Sequence, residues 1–493
     1  MKIKKCYDIL RKKKITHIKL QNEKNKIKIQ KKEEEKTLEK VRKLRMNKKL
    51  ARENYSNQKG ITLIALVVTI VVLLILAGVT LNALFNENGI LTKSRDTGNI
   101  MEDAKKSDLN AINDLDKWIN DKTGTGKEND DDTPTSDLPS VAGETTPYYP
   151  DNTFTKEEGT DLDDGLVIKD ATGNEYVWIE VPKSLYANNS YNTETATADQ
   201  KPEKSTDYDK IEYCLRKYTD YYRNGTSFKD EYYSDDVTGL TSEKYTGLKQ
   251  KMLKSVYENG GFWIGRYEAG ITKNRTGGED ATAAPLSKQG TVDTPIYPYT
   301  YVTCSQAQTL ASKLSTGKSY TSSLMFGVQW DLVLKHIEVK EVKKGTTLAI
   351  IQSALKSDSK DWGNYYDASC EINRGKYAKF REESSTWNNY NTALTDCVTY
   401  ENGKSTKVSN TDYGNSILLT TGASDACKKM NIYDLAGNVC EWTLEYHDSP
   451  YGNCTNRGGN YYNAGAGIPV SSFGDGDTTS SFGDLGFRAS LFK

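Results

Sequence analysis

One uninterrupted apolar stretch dominates the hydrophobic pattern of the chain. Residues 61–85 read ITLIALVVTIVVLLILAGVTLNALF and contain no charged side chain. As an α-helix, a segment of this length is long enough to cross roughly 30 Å of hydrocarbon. Soluble helices normally carry polar residues on at least one face, so the pattern predicts a single transmembrane helix rather than a buried core helix.

A helical period continues beyond this segment and then stops. Between residues 100 and 119, apolar side chains recur at intervals of three to five, which predicts a stalk helix within residues 86–121. Residues 122–140 combine Gly, Pro and Ser with an acidic run and contain almost no apolar side chain. Such a composition is typical of a solvated linker, so we expect a large separate domain to occupy residues 141–493.

Within the large domain, short apolar segments alternate with polar stretches. Residues 165–170 and 175–181 flank a Gly-Asn turn and predict a β-hairpin, and residues 262–268 alternate like a further strand. Helical spacing recurs at residues 302–314, where Ser305 is a candidate N-cap, and again at residues 326–337. Helices and strands that do not alternate regularly predict an α+β fold class.

Two polar, Tyr-rich stretches interrupt these elements. Residues 186–250 and 340–410 lack a sustained hydrophobic period and contain the turn pairs Asn224-Gly225 and Asn402-Gly403. We therefore predict that they are surface insertions.

The charge distribution divides the chain at the apolar stretch. Residues 1–60 contain 22 Lys and Arg against 7 Asp and Glu, whereas the whole chain has a net charge of -1. Basic flanks are retained in the cytoplasm, so we expect a cytoplasmic leader at residues 1–60 and an extracytoplasmic acidic domain. The leader is either an ordinary solvated charge run or a contact for anionic lipid. The acidic domain is not expected to bind nucleic acid.

The junction between leader and apolar stretch, Lys59-Gly60-Ile61-Thr62-Leu63, resembles the type IV prepilin family. The resemblance implies that prepilin peptidase cuts after Gly60 and that the new Ile61 amine is methylated, so Gly60 and Ile61 are the candidate processing residues. The family usually has Glu at the fifth mature position, where this chain has Ala65, and its leaders are shorter. Pilin-like assembly is thus one expectation, and a simple signal anchor is the alternative.

The C-terminal half resembles the formylglycine-generating enzyme family, also called the sulfatase-modifying-factor domain, whose fold is a decorated relative of the C-type lectin fold. Five motifs carry the resemblance in order: residues 261–268 (GFWIGRYE), 362–364 (WGN), 432–443 (IYDLAGNVCEWT), 457–459 (RGG) and 485–488 (LGFR). The resemblance implies a C-type-lectin-like domain behind the transmembrane and stalk helix.

The same resemblance argues against catalysis. Oxidising members of the family bind copper through two Cys placed after the Arg-Gly-Gly motif, and those positions are Asn463 and Ile468 here. An iron-dependent branch uses a His-rich triad, whereas this chain has only His17, His336 and His447. Without thiolate or imidazole ligands, we expect no copper, no iron and no enzymatic activity.

Calcium is the cofactor that the resemblance leaves open. It implies a structural site made by Asn438, the Val439 carbonyl and Glu441, and oxygen ligands of this kind suit a hard cation. The alternative is an ordinary turn that leads into a buried strand.

Cysteine content permits disulfides. Cys6 lies in the leader and seven cysteines follow the apolar stretch. An odd number leaves at least one thiol free unless it pairs between chains, and the connectivity cannot be read from the sequence.

The tail at residues 460–484, NYYNAGAGIPVSSFGDGDTTSSFGD, has an unusual composition. It contains no Lys, Arg or Glu, although charged residues make up 27% of the chain. Aromatic side chains among small polar ones are typical of recognition surfaces, and an ordinary Gly/Ser-rich loop is the alternative. The predicted ligand-binding residues, all expected to reach solvent, are Asn460, Tyr461, Tyr462, Asn463, Ser471, Ser472, Phe473, Asp475, Asp477, Thr478 and Thr479.

Residues 457–488 are also similar in placement to the variable region of diversity-generating retroelement target proteins. Those proteins randomise adenines in Asn-type codons, and each residue type in the tail can arise by adenine substitution in AAC or AAT.

Three function classes follow. The preferred one is a pilin-like protein of the cell membrane or surface whose lectin-like face binds an unknown surface or extracellular ligand. The others are an oxidative enzyme and a minor pilin with a purely structural role.

Overall fold

The computed structural model describes residues 137–187, 205–223, 227–450 and 452–493. The predicted leader, transmembrane helix and stalk, with the processing residues Gly60 and Ile61, lie outside the described residues. Across the described ranges, no helix is both long and apolar enough to cross a membrane.

The described part mixes helices with many short strands. The α-helices are α1 (Ser205–Tyr218), α2 (Asp235–Thr238), α3 (Ser242–Asn259), α4 (Cys304–Ser312), α5 (Gly327–Lys343) and α6 (Leu348–Lys356). Short 3₁₀ helices lie at Lys183–Ala187, Lys313–Ser315, Lys360–Trp362, Tyr413–Asn415 and Asp425–Cys427.

The strands are β1 (Thr155–Lys156), β2 (Val167–Lys169), β3 (Glu175–Glu180), β4 (Phe228–Lys229), β5 (Gly261–Gly265), β6 (Gly270–Ile271), β7 (Tyr297–Pro298), β8 (Thr321–Leu324), β9 (Cys370–Ile372), β10 (Lys376–Lys379), β11 (Asn388–Asn389), β12 (Val398–Glu401), β13 (Lys404–Lys407), β14 (Ile417–Leu419), β15 (Lys428–Lys429), β16 (Ile432–Tyr433), β17 (Cys440–His447), β18 (Cys454–Arg457), β19 (Phe473–Gly476), β20 (Leu485–Phe487) and β21 (Ala489–Phe492).

Two sheets organise the domain. The first has six antiparallel strands in the order β1-β2-β3-β5-β21-β8, and the second has the order β19-β18-β17-β20 with β4 also paired to β17. The β17–β20 pairing is parallel. Because β20 and β21 are separated by Arg488 alone, the chain passes from one sheet to the other at this residue.

Strand predictions from the sequence agree with the first sheet. The predicted hairpin is confirmed as the antiparallel pair β2–β3, with Ile168 opposite Tyr176. The predicted strand at residues 262–268 is confirmed as β5, which ends earlier, at Gly265. Period-two alternation identified these strands correctly because each has at least one buried face.

The helix boundaries need one correction. The helix predicted at residues 302–314 is α4, but its N-cap is Thr303 and not Ser305. The Thr303 side chain accepts a hydrogen bond from the Gln306 backbone, and the Gln306 side chain bonds back to Thr303. This reciprocal capping box satisfies two backbone donors at the start of the helix, which Ser305 inside the first turn could not do.

The main core lies between the helices and the sheets, and it includes part of a predicted surface insertion. Ile211, Cys214 and Leu215 of α1 and Tyr245 of α3, all within residues 186–250, are buried in the largest apolar cluster. The prediction that residues 186–250 form a surface insertion is therefore wrong for α1 and for the start of α3. The polar outer faces of these helices mask their apolar faces when only the composition is considered.

The folded domain begins before residue 141. Leu138, inside the predicted linker, is only 7% exposed and belongs to a cluster with Phe154 and Trp178. Tyr149 also donates a hydrogen bond to Asp137 at 2.5 Å. The end of the predicted 122–140 linker is thus part of the packed domain.

Candidate functional site

The second sheet brings the tail onto the motif strands. β18 pairs antiparallel with both β17 and β19, and the β18–β19 register places Arg457 opposite Phe473. β20 joins the far side of β17. The two ends of the tail are thereby held by β18 and β20 on either side of β17, and its middle forms β19 at the edge of the same sheet.

A cavity of about 530 Å³ lies between the tail and the strands that it joins. Twelve of its seventeen lining residues belong to the 460–484 tail. The tail residues in the lining are Asn460, Tyr462, Asn463, Ile468, Ser472, Phe473, Gly474, Asp475, Gly476, Ser480, Phe482 and Asp484, and the others are Cys440, Asn456, Arg457, Gly459 and Leu485. The volume lies in the range of small-molecule binding sites.

The Arg-Gly-Gly motif turns the chain at the cavity. Gly458 and Gly459 have φ angles of 95° and 74°, a region that side-chain-bearing residues rarely adopt. A Cβ atom on Gly459 would lie 2.7 Å from the Ile468 carbonyl oxygen. Glycine at this position lets the two sides of the cavity approach each other.

Arg457 lines the cavity, but two buried carboxylates neutralise its charge. Its guanidinium contacts Asp331 at 2.6 Å and Glu445 at 3.2 Å. Arg223 contacts the same two carboxylates at 2.6 and 2.5 Å. Two cations facing two anions leave no net charge in this group, so the wall offers no free cation to a ligand.

Acidic and amide groups also line the cavity. The Asp484 carboxylate accepts hydrogen bonds from Asn460 at 2.7 Å and from the Tyr462 hydroxyl at 2.5 Å. Burial raises the pKa of Asp484 despite these bonds. Asp475 is exposed at the rim, and Oδ2 of Asp475 lies 3.5 Å from Nδ1 of His447. The cavity lining thus contains two carboxylates and amide groups in addition to its aromatic side chains.

The predicted ligand-binding residues separate into several groups. Asn460, Tyr462, Asn463, Ser472, Phe473 and Asp475 line the cavity. Asp477 and Thr479 are exposed outside it, and Thr478 lines a separate hollow beside α2 and α4.

Two of the predicted residues are core residues, which corrects the expectation that they reach solvent. Tyr461 is 1% exposed and packs with Leu418 and Val439. Ser471 is 5% exposed, and its backbone donates to the Leu355 carbonyl. Asn460 lines the cavity but is itself 4% exposed, because Asp484 holds its amide.

Sequence reasoning missed several residues of the cavity. Ser480, Phe482 and Asp484 lie inside the unusual tail, so the compositional signal already covered them. Phe482 is 57% exposed, which makes it the most accessible large apolar residue of the lining. Asn456 and Cys440 come from other strands, and only the β17–β18–β19 pairing brings them here.

The predicted calcium ligands do not fit a calcium ion. The Asn438 amide is fully used: Oδ1 accepts from Asn364 at 2.9 Å and Leu419 at 3.0 Å, and Nδ2 donates to Glu268 at 2.5 Å. Glu441 is in a buried ion pair with Arg488 at 2.6 Å. A calcium ion would have to displace this guanidinium.

Val439 was predicted to contribute its backbone carbonyl. Its side chain packs against Leu418 and Tyr461. Over the part of the chain that the structure describes, no group of three His, Cys, Asp or Glu residues could hold a metal. In this structure Asn438, Val439 and Glu441 are buried, and the side chains of Asn438 and Glu441 are bound to other protein groups.

Three buried carboxylates surround Arg488 at this point. Burial raises the pKa of Asp434 to about 7, although the Gly422 backbone and Arg488 oppose the shift. Burial together with Asp434 and Glu441 raises the pKa of Glu268 well above its usual range. The Arg488 guanidinium pairs with Glu441 and also donates to the Gly265 and Tyr433 carbonyls. This residue ties both sheets together, so its role is structural.

The two positions that the sequence analysis compared with copper ligands also lie at the cavity. Asn463 and Ile468 are both part of its lining. Cys440 is the lining residue that carries a thiol, and burial together with the Asp484 carboxylate raises its pKa well above the usual value. A protonated thiol is a poor nucleophile and a poor metal ligand.

Comparison with known families concerns the N-terminal part of the chain. Residues 55–81 match the family model of the prokaryotic N-terminal methylation motif. A search of curated proteins finds no match to the chain.

The matched segment contains the predicted cut site and most of the apolar stretch. The chain thus carries a type IV prepilin-like N-terminus, as the residues around Gly60 predicted. Such a motif is consistent with a membrane- or surface-associated, pilin-like protein that is a prepilin peptidase substrate.

Proposed function

We propose that this protein is a surface-displayed, pilin-like binding protein whose C-terminal, C-type-lectin-like domain holds a ligand in the cavity under the 460–484 tail. One observation carries the proposal: twelve of the seventeen cavity-lining residues come from the tail whose composition is typical of recognition surfaces. The prepilin-like N-terminus would anchor the domain in the membrane, with the domain on the outside.

The cavity's chemistry narrows the ligand class. Phe473 and Phe482 offer apolar ring surface, while Asp475, Asp484 and the amides of Asn456 and Asn463 offer hydrogen-bond acceptors and donors. Arg457 is the lining residue with a cationic side chain, and its charge is neutralised. An anionic ligand would therefore meet carboxylates without a free counter-charge, so we propose a neutral or cationic polar ligand with an apolar face.

A binding screen tests this function. The full-length protein in detergent is applied to an array of glycans and peptides, beside a Ser472→Trp variant that fills the cavity with a large ring. We expect array ligands that bind the wild type and fail to bind the variant. Ligands that bind both proteins equally would place recognition elsewhere, and an array without any ligand would favour a minor pilin with a structural role.

Diversification of the tail is the finer part of the proposal. Its support is that every residue type in the tail is reachable by adenine substitution in Asn codons and that the tail forms most of the cavity lining. The DNA immediately downstream tests it. We expect a near-copy of the codons for residues 457–488 together with a reverse transcriptase gene, and their absence would restrict the proposal to a fixed binding site.

We also propose that the domain is not an oxidative enzyme. Its cavity has an amide and an alkyl group, from Asn463 and Ile468, where copper thiolates would be required. Oxidation of a sulfatase-type Cys peptide by the full-length protein, in the presence of copper and oxygen, would contradict this.

A further inference from the structure

We propose that the exported domain contains two disulfides, Cys304–Cys454 and Cys370–Cys427, which hold the scaffold of the cavity and its neighbouring insertion. All seven cysteines of the described residues are buried free thiols in this structure. Four of them lie on neighbouring segments in two pairs, Cys304 with Cys454 and Cys370 with Cys427, and the interaction between the two thiols of each pair shifts the pKa of at least one member. The proposal does not depend on the identity or existence of a ligand.

The first pair joins a helix to a cavity strand. Cys304 is the first residue of α4, and Cys454 is the first residue of β18. Sγ of Cys304 lies 3.4 Å from the Thr443 carbonyl on β17, the strand next to β18. Both sulfur atoms are enclosed, since the two residues are 1% and 0% exposed.

This pair sits directly behind the proposed site. The β18–β19 register places Cys454 opposite Gly476, which lines the cavity, and Arg457 ends the same strand. A covalent bond from α4 to β18 would hold this wall to the helical core. It would also close a long loop of the chain, which restricts the unfolded state more than a short loop does.

The second pair joins β9 to the 3₁₀ helix that ends at Cys427. Two hydrogen bonds fasten the same segments: Ser424 Oγ donates to the Glu371 carbonyl at 2.6 Å, and the Asp425 backbone donates to Asn373 at 2.7 Å. These hydrogen bonds hold the segments that carry Cys370 and Cys427 next to each other.

The surroundings of this pair favour the thiolate form of Cys370. Lys407 lies opposite Cys370 in the β9–β13 register, and its ammonium donates to two backbone carbonyls. Contact with Cys427 and the Lys407 charge lower the pKa of Cys370 to about 7. Cys370 would supply the thiolate that attacks an acceptor disulfide, because the thiolate is the nucleophile in exchange.

The remaining three cysteines have other neighbours. Cys214 lies near Tyr186, Cys397 near Tyr377, and Cys440 beside Asn460 in the cavity lining. We expect these three to stay as thiols, which also accounts for the odd number of cysteines beyond the leader.

The oxidation is a dithiol–disulfide exchange. For each pair, while the chain is folding and its sulfur atoms are still accessible, a thiolate attacks a disulfide acceptor, either a thiol oxidoreductase or a small disulfide such as oxidised glutathione, and breaks its S–S bond to form a mixed disulfide. The second thiol of the pair then forms the new intramolecular S–S bond and releases the acceptor's other sulfur. Two electrons and two protons pass from the pair to the acceptor, which leaves as two thiols.

Mass spectrometry tests the proposal on full-length protein purified from cell membranes. The protein is denatured without reductant so that the buried free thiols can be alkylated, and peptides are then mapped. We expect three alkylated cysteines among the seven after residue 60, together with linked peptides for both pairs. In Cys304→Ser, Cys454 should become alkylated while the Cys370–Cys427 link remains. Cys440→Ser is the matched control and should lose one alkylation without changing either link.

Several results would overturn the proposal. Seven alkylated cysteines in the membrane-purified protein, or links between other cysteines, would contradict it. A second sample is treated with oxidised glutathione before alkylation. If links appear only there, the pairs can be oxidised but are not disulfides in the exported protein. The mapping uses wild-type protein, so it remains decisive even if a variant fails to fold.

Discussion

The guanidinium carbon of Arg457 lies 3.6 Å from the centre of the Phe473 ring. Arg457 belongs to the Arg-Gly-Gly motif of β18, and Phe473 is the first residue of β19. This cation–π contact, together with the strand pairing, fixes the tail against the motif strand. The contact therefore connects the buried ionic group behind the sheet with the wall of the proposed binding cavity.

Replacing Arg457 should destabilise the domain strongly. In Arg457→Met, Asp331 and Glu445 keep Arg223 but lose their second cation, and breaking a buried pair typically costs about 3 to 5 kcal/mol. Urea denaturation followed by tryptophan fluorescence measures the loss. The control is Lys273→Met, because Lys273 is 79% exposed in its pair with Glu279 and such pairs contribute under about 1 kcal/mol. Equal effects of both variants would contradict the structural role given to Arg457.

Tyr461 and Thr479 should behave in opposite ways although both lie in the tail. Tyr461 is buried, so Tyr461→Ala should cost about 3 to 5 kcal/mol of unfolding free energy, as aromatic truncations in cores do. Thr479 is exposed, and Thr479→Ala should change it by less than about 0.5 kcal/mol. Thermal and urea unfolding of both variants check this. If both variants kept the unfolding free energy of the wild type, the whole tail would be a surface loop and Tyr461 would not be a core residue.

Stability at acid pH should depend on His336. Burial, followed by the charge of Lys340, lowers the pKa of His336 from 6.5 to about 3, and its Nδ1 accepts a hydrogen bond from the Glu180 backbone. The unfolded chain binds a proton below its own pKa while the folded chain does not. The contribution of His336 is therefore present above about pH 6.5 and is lost as the pH falls towards 3.

The variant His336→Asn, whose amide oxygen can accept the same bond, isolates this effect. Unfolding free energies of both proteins are measured from pH 7.5 to pH 4. The wild type should lose more stability than the variant over this range, and parallel curves would show that His336 does not titrate as described. Asp434 contributes with the opposite sign, since its raised pKa favours folding at lower pH, and it is unchanged between the two proteins.

Processing at Gly60 should produce a mature protein that begins at Ile61. The methylation-motif match at residues 55–81 includes both residues, and a side chain at the cut position would crowd the peptidase. Mass spectrometry should find methylated Ile61 at the N-terminus, and Gly60→Trp should keep the leader attached. Recovery of intact residues 1–60 on wild-type protein would instead indicate a simple signal anchor.

The sequence predicted best what depends on local patterns. Alternation identified β2, β3 and β5, and the residues around Gly60 identified the methylation motif that the family model confirms. The cap of α4 was misplaced by two residues because Thr303 and Ser305 are both plausible capping residues, and only the Gln306 contacts distinguish them.

What the sequence could not predict depends on contacts between distant residues. Asn438 and Glu441 carry oxygen atoms of the kind that bind calcium. The sequence does not reveal that Glu441 pairs with Arg488, which lies 47 residues away. Tyr461 has the same type of neighbours in the sequence as Tyr462, yet Tyr461 is fully buried beside Leu418 whereas Tyr462 is partly buried and lines the cavity. The composition of the tail indicated the site. Which tail residues line the cavity, which are buried in the core and which are exposed at the rim depends on the pairing of β18 with β19.

The dissociation constants of an array-selected ligand for Phe473→Ala and Thr479→Ala test the central claim most directly. Phe473 forms the cavity wall, whereas Thr479 lies in the same tail outside the lining. We predict that Phe473→Ala weakens binding at least about tenfold, equal to about 1.4 kcal/mol, while Thr479→Ala binds like the wild type. Equal affinities of both variants and the wild type, with the fold intact by circular dichroism, would contradict the account and move recognition away from this cavity.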